Sequence, residues 1–145
     1  MTHDKEKEKI GRNIIKEGKL EELRKVLGVS RNFMSELLYI SATTYRNWVE
    51  QPGRGEKMWN KTAARVATFF TEVHAELAAL AEDGVELHEL MPLYECAQRS
   101  ASTQEYILSQ YRSGTFKGMD LGVLGIWIFR DQRLWRSAPS WADAA

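Results

Sequence analysis

The chain has 145 residues, which is enough for one domain of ordinary size or two very small ones. Hydrophobic residues make up 43% of the chain and charged residues 28%, a balance that excludes an intrinsically disordered protein and predicts a globular one. The 20 basic and 20 acidic side chains cancel, but residues 61–90 hold 6 acidic and only 2 basic ones, so both ends are left free to meet phosphate.

A short amphipathic helix is predicted for LEELRKVL (20–27), after a mixed-charge start that is predicted to be a solvated helix start or a frayed tail. Leu20, Leu23 and Leu27 recur at helical spacing and give this helix one apolar face. Gly28 is expected to end it, because glycine accepts the left-handed conformation that closes many helices.

Two further short helices are predicted within RNFMSELLYISATTYRNWVE (31–50), with only Tyr39-Ile40-Ser41 between them. Ser30 and Ser41 stand where each helix begins, and a serine oxygen at that position accepts an otherwise unpaired amide. Each helix has an apolar face that is predicted to pack on the other helix and on LEELRKVL. These faces consist of Met34, Leu37 and Leu38 in the first helix and of Tyr45, Trp48 and Val49 in the second.

The opposite face of the second helix holds residues that are short or polar: Ala42, Thr43, Arg46 and Asn47. Arginine can pair with guanine and asparagine with adenine, while alanine and threonine methyl groups can touch thymine. The pattern therefore predicts a helix that reads base edges in a DNA groove.

The stretch LRKVLGVSRNFMSELLYISATTYRNWVE resembles the helix-turn-helix of the Cro and lambda-type (XRE-like) repressor family. The likeness includes LR near the end of the first helix, LL closing the second, Ile-Ser at the turn, and Thr plus Trp in the third. It implies that Arg31 lies near a phosphate and that Ser41 and the face from Ala42 to Asn47 meet the major groove. Tyr39 replaces the family's usual glycine, which predicts a wider turn, and Ser35 replaces its usual alanine.

The longest helical pattern runs from about Asn60 to Asp83, with Gly84 as its expected cap. Its apolar stripe is typical of a buried core or of a seam between two subunits, so a homodimer is a predicted partner arrangement. The stripe consists of Ala63, Val66, Ala67, Phe70, Val73, Leu77 and Leu80.

Two more helices and one β-hairpin are predicted after Gly84. Pro92 marks the start of the first helix, and Ser102 with Glu105 fits the capping box of a second helix that runs to Ser113. FKGMDLGVLGIWIF (116–129) carries the only convincing β pattern, with glycines that permit a turn.

This second half, from ECAQRSASTQEYILSQYRSG to RDQRLW, resembles the winged-helix modules of phage excisionases and the MerR group. The resemblance implies DNA contacts from the second helix and from the wing or its flank. The helix residues are Tyr106, Ser109 and Arg112, and the wing residues are Lys117 and Arg130. LGVLGIWI is more apolar than an exposed wing. The alternatives to an exposed wing are a buried hairpin and a hairpin that packs on the other module or on a second subunit.

No catalytic residue, metal site or cofactor is predicted. His3, His74 and His88 are far apart in the sequence, and Cys96 has no partner at ligand spacing. The acidic residues of 82–89 are interpreted as a solvated linker rather than as paired carboxylates. The chain is therefore predicted not to be an enzyme.

A cytoplasmic protein of a bacterial host cell is predicted, without a membrane partner. The charged start lacks the apolar stretch of a signal peptide, and no apolar run approaches the roughly 18 residues needed to cross a bilayer. The single cysteine indicates a reducing compartment. Ala144-Ala145 resembles the tails read by bacterial ATP-dependent proteases, so a host protease is a predicted partner.

These patterns together predict a mainly α protein with four segments: a helix-turn-helix bundle (1–59), a long connecting helix (60–84), a small winged-helix-like unit with one β-hairpin (85–138), and a flexible tail (139–145). The predicted function is sequence-specific transcription regulation at a double-stranded DNA operator, by a phage or mobile-element repressor similar to phage immunity repressors. Three alternatives stay open: an excisionase-like factor that bends recombination sites, a phage packaging protein similar to small terminase subunits, and a protein-interaction module such as an anti-regulator.

Overall fold

The computed structural model describes residues 2–53 and 58–131, with side chains from residue 5 onward. Seven α-helices and a three-stranded antiparallel sheet make up this part of the chain, which confirms the predicted mainly α class. The chain divides into two compact units, Met1–Ala75 and Glu76–Ala145. The predicted tail, with Ala144 and Ala145, lies outside the described residues.

The first unit consists of helices. They are α1 (Thr2–Lys16), α2 (Lys19–Leu27), α3 (Arg31–Leu38), α4 (Ala42–Glu50) and the first part of α5 (Asn60–Glu82). The apolar face predicted for α2 is confirmed, because Leu20, Leu23 and Leu27 are all buried. Gly28 ends α2 in the left-handed conformation, as predicted.

The mixed-charge start of the chain forms α1, which packs against both α2 and α4. Ile14 and Ile15 are buried on its inner face. Gly11 is buried as well, and a Cβ atom placed on it would lie 1.8 Å from the Ala63 carbonyl oxygen of α5. The absence of a side chain at Gly11 therefore lets α1 and α5 approach at backbone distance.

The second unit combines helices with the sheet. Its elements after α5 are β1 (Leu90–Pro92), α6 (Leu93–Ser100), α7 (Gln104–Arg112), β2 (Gly118–Asp120) and β3 (Ile126–Phe129). The strand order is β1-β3-β2, with every pair antiparallel. The predicted hairpin is confirmed as β2 and β3, whereas the sequence did not predict β1, whose Met91 pairs with Ile128.

The core of the second unit joins its helices to the central strand. Its buried members are Met91, Cys96, Ala97, Ile107, Phe116 and Ile128. The start predicted for α7 needs a correction of one residue, because Thr103 rather than Ser102 is the N-cap and accepts a hydrogen bond from the Tyr106 amide at 3.1 Å. The Ser102 hydroxyl instead lies 2.5 Å from that of Ser100.

Gly11→Ala tests the close approach of α1 and α5. Alanine is favoured over glycine inside a helix by about 1 kcal/mol, but overpacking typically costs about 1–3 kcal/mol, and here the obstacle is backbone. The balance of these effects, with a backbone obstacle, predicts a net loss of about 1–2 kcal/mol in the free energy of unfolding, measured by urea titration. Gly53→Ala is the control, because a Cβ there meets nothing within 4 Å. Equal stability of the two variants would contradict the close approach.

Candidate nucleic-acid interface

The two helices α3 and α4 begin at the two predicted serine caps. Ser30 accepts a hydrogen bond from the Phe33 amide at 3.1 Å, and Ser41 accepts one from the Thr44 amide at 3.0 Å. Both caps are confirmed. Each satisfies a backbone donor that would otherwise lack a partner at the start of a helix.

The turn between these helices is tight, so the wider turn predicted from Tyr39 is wrong. Tyr39 itself adopts the left-handed conformation, with φ 59°, and the Ile40 amide donates to the Ser35 carbonyl at 3.0 Å. Arg65 of α5 covers the exposed Tyr39 ring at 5.8 Å from its centroid and donates to the Leu38 carbonyl at 3.3 Å. These contacts offset a left-handed backbone penalty of roughly 1–2 kcal/mol.

Ser35, the other departure from the repressor pattern, is buried. Its hydroxyl donates to the Asn32 carbonyl at 2.7 Å. A buried hydroxyl with a partner avoids the cost of an unsatisfied polar group, so α3 accepts serine at this position.

The inward face of α4 holds Tyr45 and Trp48, and both are buried, as predicted. The Tyr45 hydroxyl donates to Oε1 of Glu21 at 3.1 Å. The same carboxylate accepts from Arg24 Nε at 2.5 Å and from Arg31 Nη2 at 2.8 Å. Glu21 therefore ties together α2, α3 and α4 through one largely buried carboxylate.

Protonation of this cluster follows from its contacts. Burial by itself would raise the pKa of Glu21, but the hydrogen bonds from Arg24, Arg31 and Tyr45 outweigh it and lower the pKa below the usual carboxyl range. Burial first, and then the charge of Glu21, raises the pKa of Tyr45. The cluster therefore stays ionised at Glu21 and neutral at Tyr45 at neutral pH.

The outward face of α4 places Ala42, Thr43 and Arg46 in exposed positions and Asn47 in a half-buried one. Ser41 is also exposed, but its hydroxyl serves the cap and lies 2.8 Å from that of Thr44. The residues predicted to contact bases thus lie on one helix, with Asn47 at the edge of the exposed face.

Arg31 lies at the start of α3 with its side chain 43% exposed. Its guanidinium donates to Glu21 through Nε and Nη2. In this arrangement the guanidinium holds the Glu21 carboxylate while part of the side chain stays exposed to a phosphate.

The residues predicted for the second half do not share one environment. Tyr106, Ser109 and Arg112 are exposed on α7, although the Ser109 hydroxyl turns back to the Tyr106 carbonyl at 2.8 Å. Lys117 is exposed just before β2. Arg130 is half-buried, and its Nε donates to the Leu90 carbonyl at 3.0 Å.

The Arg130 guanidinium also pairs with Glu95, at 2.6 Å between Nη2 and Oε2. Its backbone amide donates to the Glu89 carbonyl at 2.7 Å. These contacts, together with the one to Leu90, fasten the end of β3 to β1 and α6. In this arrangement the side chain serves the fold rather than projecting from a wing.

The apolar residues of the loop between β2 and β3 are buried within the protein, which agrees with the expectation that this hairpin is not an exposed wing. Leu121 and Leu124 are both buried, with Leu124 in a short 3-10 turn. The Trp127 indole donates to the Leu124 carbonyl at 3.0 Å and secures the loop. This loop does not project as an extended wing.

The described residues also bear on metal binding, thiol reactivity and membrane spanning. Within residues 2–53 and 58–131, no three His, Cys, Asp or Glu side chains converge to hold a metal ion. Burial raises the pKa of the Cys96 thiol to about 11, so very little thiolate forms at neutral pH. No helix in these residues has the length and apolar character needed to cross a bilayer.

Glu21 is the residue of this site that the sequence analysis missed. The signal was present, because Glu21 and Arg24 stand at the i, i+3 spacing of a helical ion pair. The pairing with Arg31 and Tyr45 arises from tertiary packing and has no local signature.

Comparisons of the chain with protein-family models, with curated proteins and with solved structures found no match.

Glu21→Gln tests the charge network. The variant keeps the shape of the side chain but removes its charge. Hydrogen bonds to charged groups contribute about 1.5–3 kcal/mol each, so we expect the free energy of unfolding at pH 7 to fall by about 1–2 kcal/mol. Because the folded pKa of Glu21 is lowered, its stabilisation is complete above the unfolded pKa of about 4.3 and is lost as the pH falls through the folded value. The difference between parent and variant should therefore shrink in acid.

Urea unfolding at pH 7 and at pH 3 measures this difference. Glu22→Gln is the control, because Glu22 is an exposed neighbour on the same helix. Equal losses in the two variants, or a loss that does not change with pH, would rule the network out as a stabilising element.

Proposed function

We propose that this protein is a sequence-specific regulator of transcription that binds double-stranded DNA, of the kind used by phages or mobile elements. In this proposal α4 enters the major groove. The observation that carries it is the division of α4 into two faces: Tyr45 and Trp48 anchor it inward, while Thr43 and Arg46 remain exposed. A short helix held in this way presents polar side chains on a rigid support.

The exposed face has the chemistry for base readout. Arg46 can donate two hydrogen bonds to guanine, and the methyl groups of Ala42 and Thr43 can contact thymine. Asn47, at the edge of the face, can pair with adenine. Arg31 and the amides at the start of α3 suit a phosphate, which would set register rather than sequence preference.

The second unit would contribute through α7, where Tyr106 and Arg112 are exposed. We assign no DNA contact to Arg130, because its guanidinium holds Leu90 and Glu95. The inward loop between β2 and β3 favours contact by the helix over contact by a wing.

Selection of bound duplexes from a random DNA pool tests the proposal and supplies a binding site for measurement. A site of defined sequence whose binding weakens steeply with salt supports a regulator. Its length and symmetry report how many units and copies contact the DNA. Failure to enrich any sequence, together with absence of salt-dependent binding, would sink the proposal.

Arg46→Ala should lose affinity for the selected site by about 1–3 kcal/mol, or roughly 5–150-fold, and relax preference at one base pair. Fluorescence anisotropy with a panel of single-base variants measures both effects. Arg46→Lys separates base from phosphate contact, because lysine keeps the charge but not the two-pronged geometry. Full rescue by lysine would assign Arg46 to phosphate instead.

Arg99→Ala, an exposed arginine on α6, is the matched control and should bind like the parent. Circular dichroism should show the same helix content in all three variants, since Arg46 on α4 and Arg99 on α6 are both exposed.

A further inference from the structure

Basic and acidic residues alternate in the sequence of α1, but four of the basic residues lie on one face of the helix. Lys5, Lys9, Arg12 and Lys16 stand at i, i+4, i+7 and i+11, which places them in one line along α1. We call these four residues the α1 basic stripe. Glu6 falls on another side of the helix, whereas Glu8, at i+3 from Lys5 and i−4 from Arg12, lies beside the stripe.

The α1 basic stripe faces outward because the other side of the helix is packed. Gly11, Ile14 and Ile15 form the buried face, about half a turn away from Lys9 and Lys16. Lys5, Lys9 and Lys16 are exposed. The stripe is therefore presented by a helix that is fixed to the rest of the first unit.

Arg12 in the middle of the stripe is held in place by neutral groups. Its Nη2 donates to the Met58 carbonyl at 3.1 Å and to Oδ1 of Asn60 at 2.6 Å. Neither acceptor carries a charge, so the positive charge of the guanidinium is positioned without being cancelled. A positioned cation loses less side-chain entropy when it meets an anion.

The stripe borders a shallow cleft of about 320 Å³, lined by Lys9, Arg12, Asn13 and Lys16. Among the described residues, three cations and one amide line this cleft and supply hydrogen-bond donors and positive charge. From Lys5 to Lys16 the stripe extends about 16 Å, over which one DNA strand presents several phosphates at about 3.4 Å of axial rise each.

We propose that the α1 basic stripe binds the sugar-phosphate backbone of the same duplex that α4 reads. The inference rests on the proposed function and adds a second contact surface to it. Within the first unit, α1 packs against α4. Contacts between α1 and the DNA backbone would therefore fix the orientation of the groove-reading helix. The contact contributes affinity without base preference.

The test is a triple variant, Lys5→Gln with Lys9→Gln and Lys16→Gln, measured by anisotropy on the selected duplex over a range of salt concentrations. Glutamine and lysine have similar helix propensity, so α1 should persist. Each lost phosphate contact reduces the slope of log K against log salt by about 0.9. We expect a reduction of about 2–3 in slope, a 10–100-fold loss of affinity, and unchanged base preference.

Lys7→Gln is the matched control, since Lys7 is an exposed lysine of α1 outside the stripe, and its slope should stay close to that of the parent. If the triple variant loses helix content, Lys9→Gln alone carries the test, with an expected slope change of about 1.

The two proposals fail in different ways. A parent protein that binds its site with a slope unaffected by the triple substitution would overturn the stripe and leave the regulator standing. A triple variant with altered base preference would also overturn it, because backbone contacts carry no sequence information. A parent protein without salt-dependent DNA binding would overturn the proposed function itself.

Discussion

The carboxylate of Glu21 receives hydrogen bonds from Arg24 on its own helix, from Arg31 on α3 and from Tyr45 on α4. A largely buried carboxylate is stable when its lone pairs have such partners, so these hydrogen bonds favour the observed arrangement of the three helices. Together with the burial of Tyr45 and Trp48, this carboxylate holds α4 in the orientation that leaves Arg46 exposed.

Much of the first unit follows from local rules. The helical spacing of leucines, the serines before α3 and α4, and glycine after α2 are signals that act within four or five residues, and the structure agrees with each. The inward position of Tyr45 and Trp48 follows from the same spacing. Local pattern therefore sufficed to divide α4 into a buried and an exposed face, which is the basis of the candidate site.

The remaining features depend on residues distant in sequence. The strand at Met91 is only three residues long and exists because β3 pairs with it about 35 residues later, beyond the reach of any short window. Tyr39 keeps a tight turn with help from Arg65 of α5. The sequence predicts Arg130 as a DNA-contacting cation on or beside a wing. The fold instead places Leu90 and Glu95 beside its guanidinium.

The sheet of the second unit ends on both sides in strands of three residues, one closing with Pro92 and the other opening with Gly118. Proline offers no amide to a neighbouring chain, and three residues present too few backbone groups to template a growing ladder. Intermolecular β-pairing at these borders is therefore disfavoured. The native sheet is therefore a poor template for fibril growth.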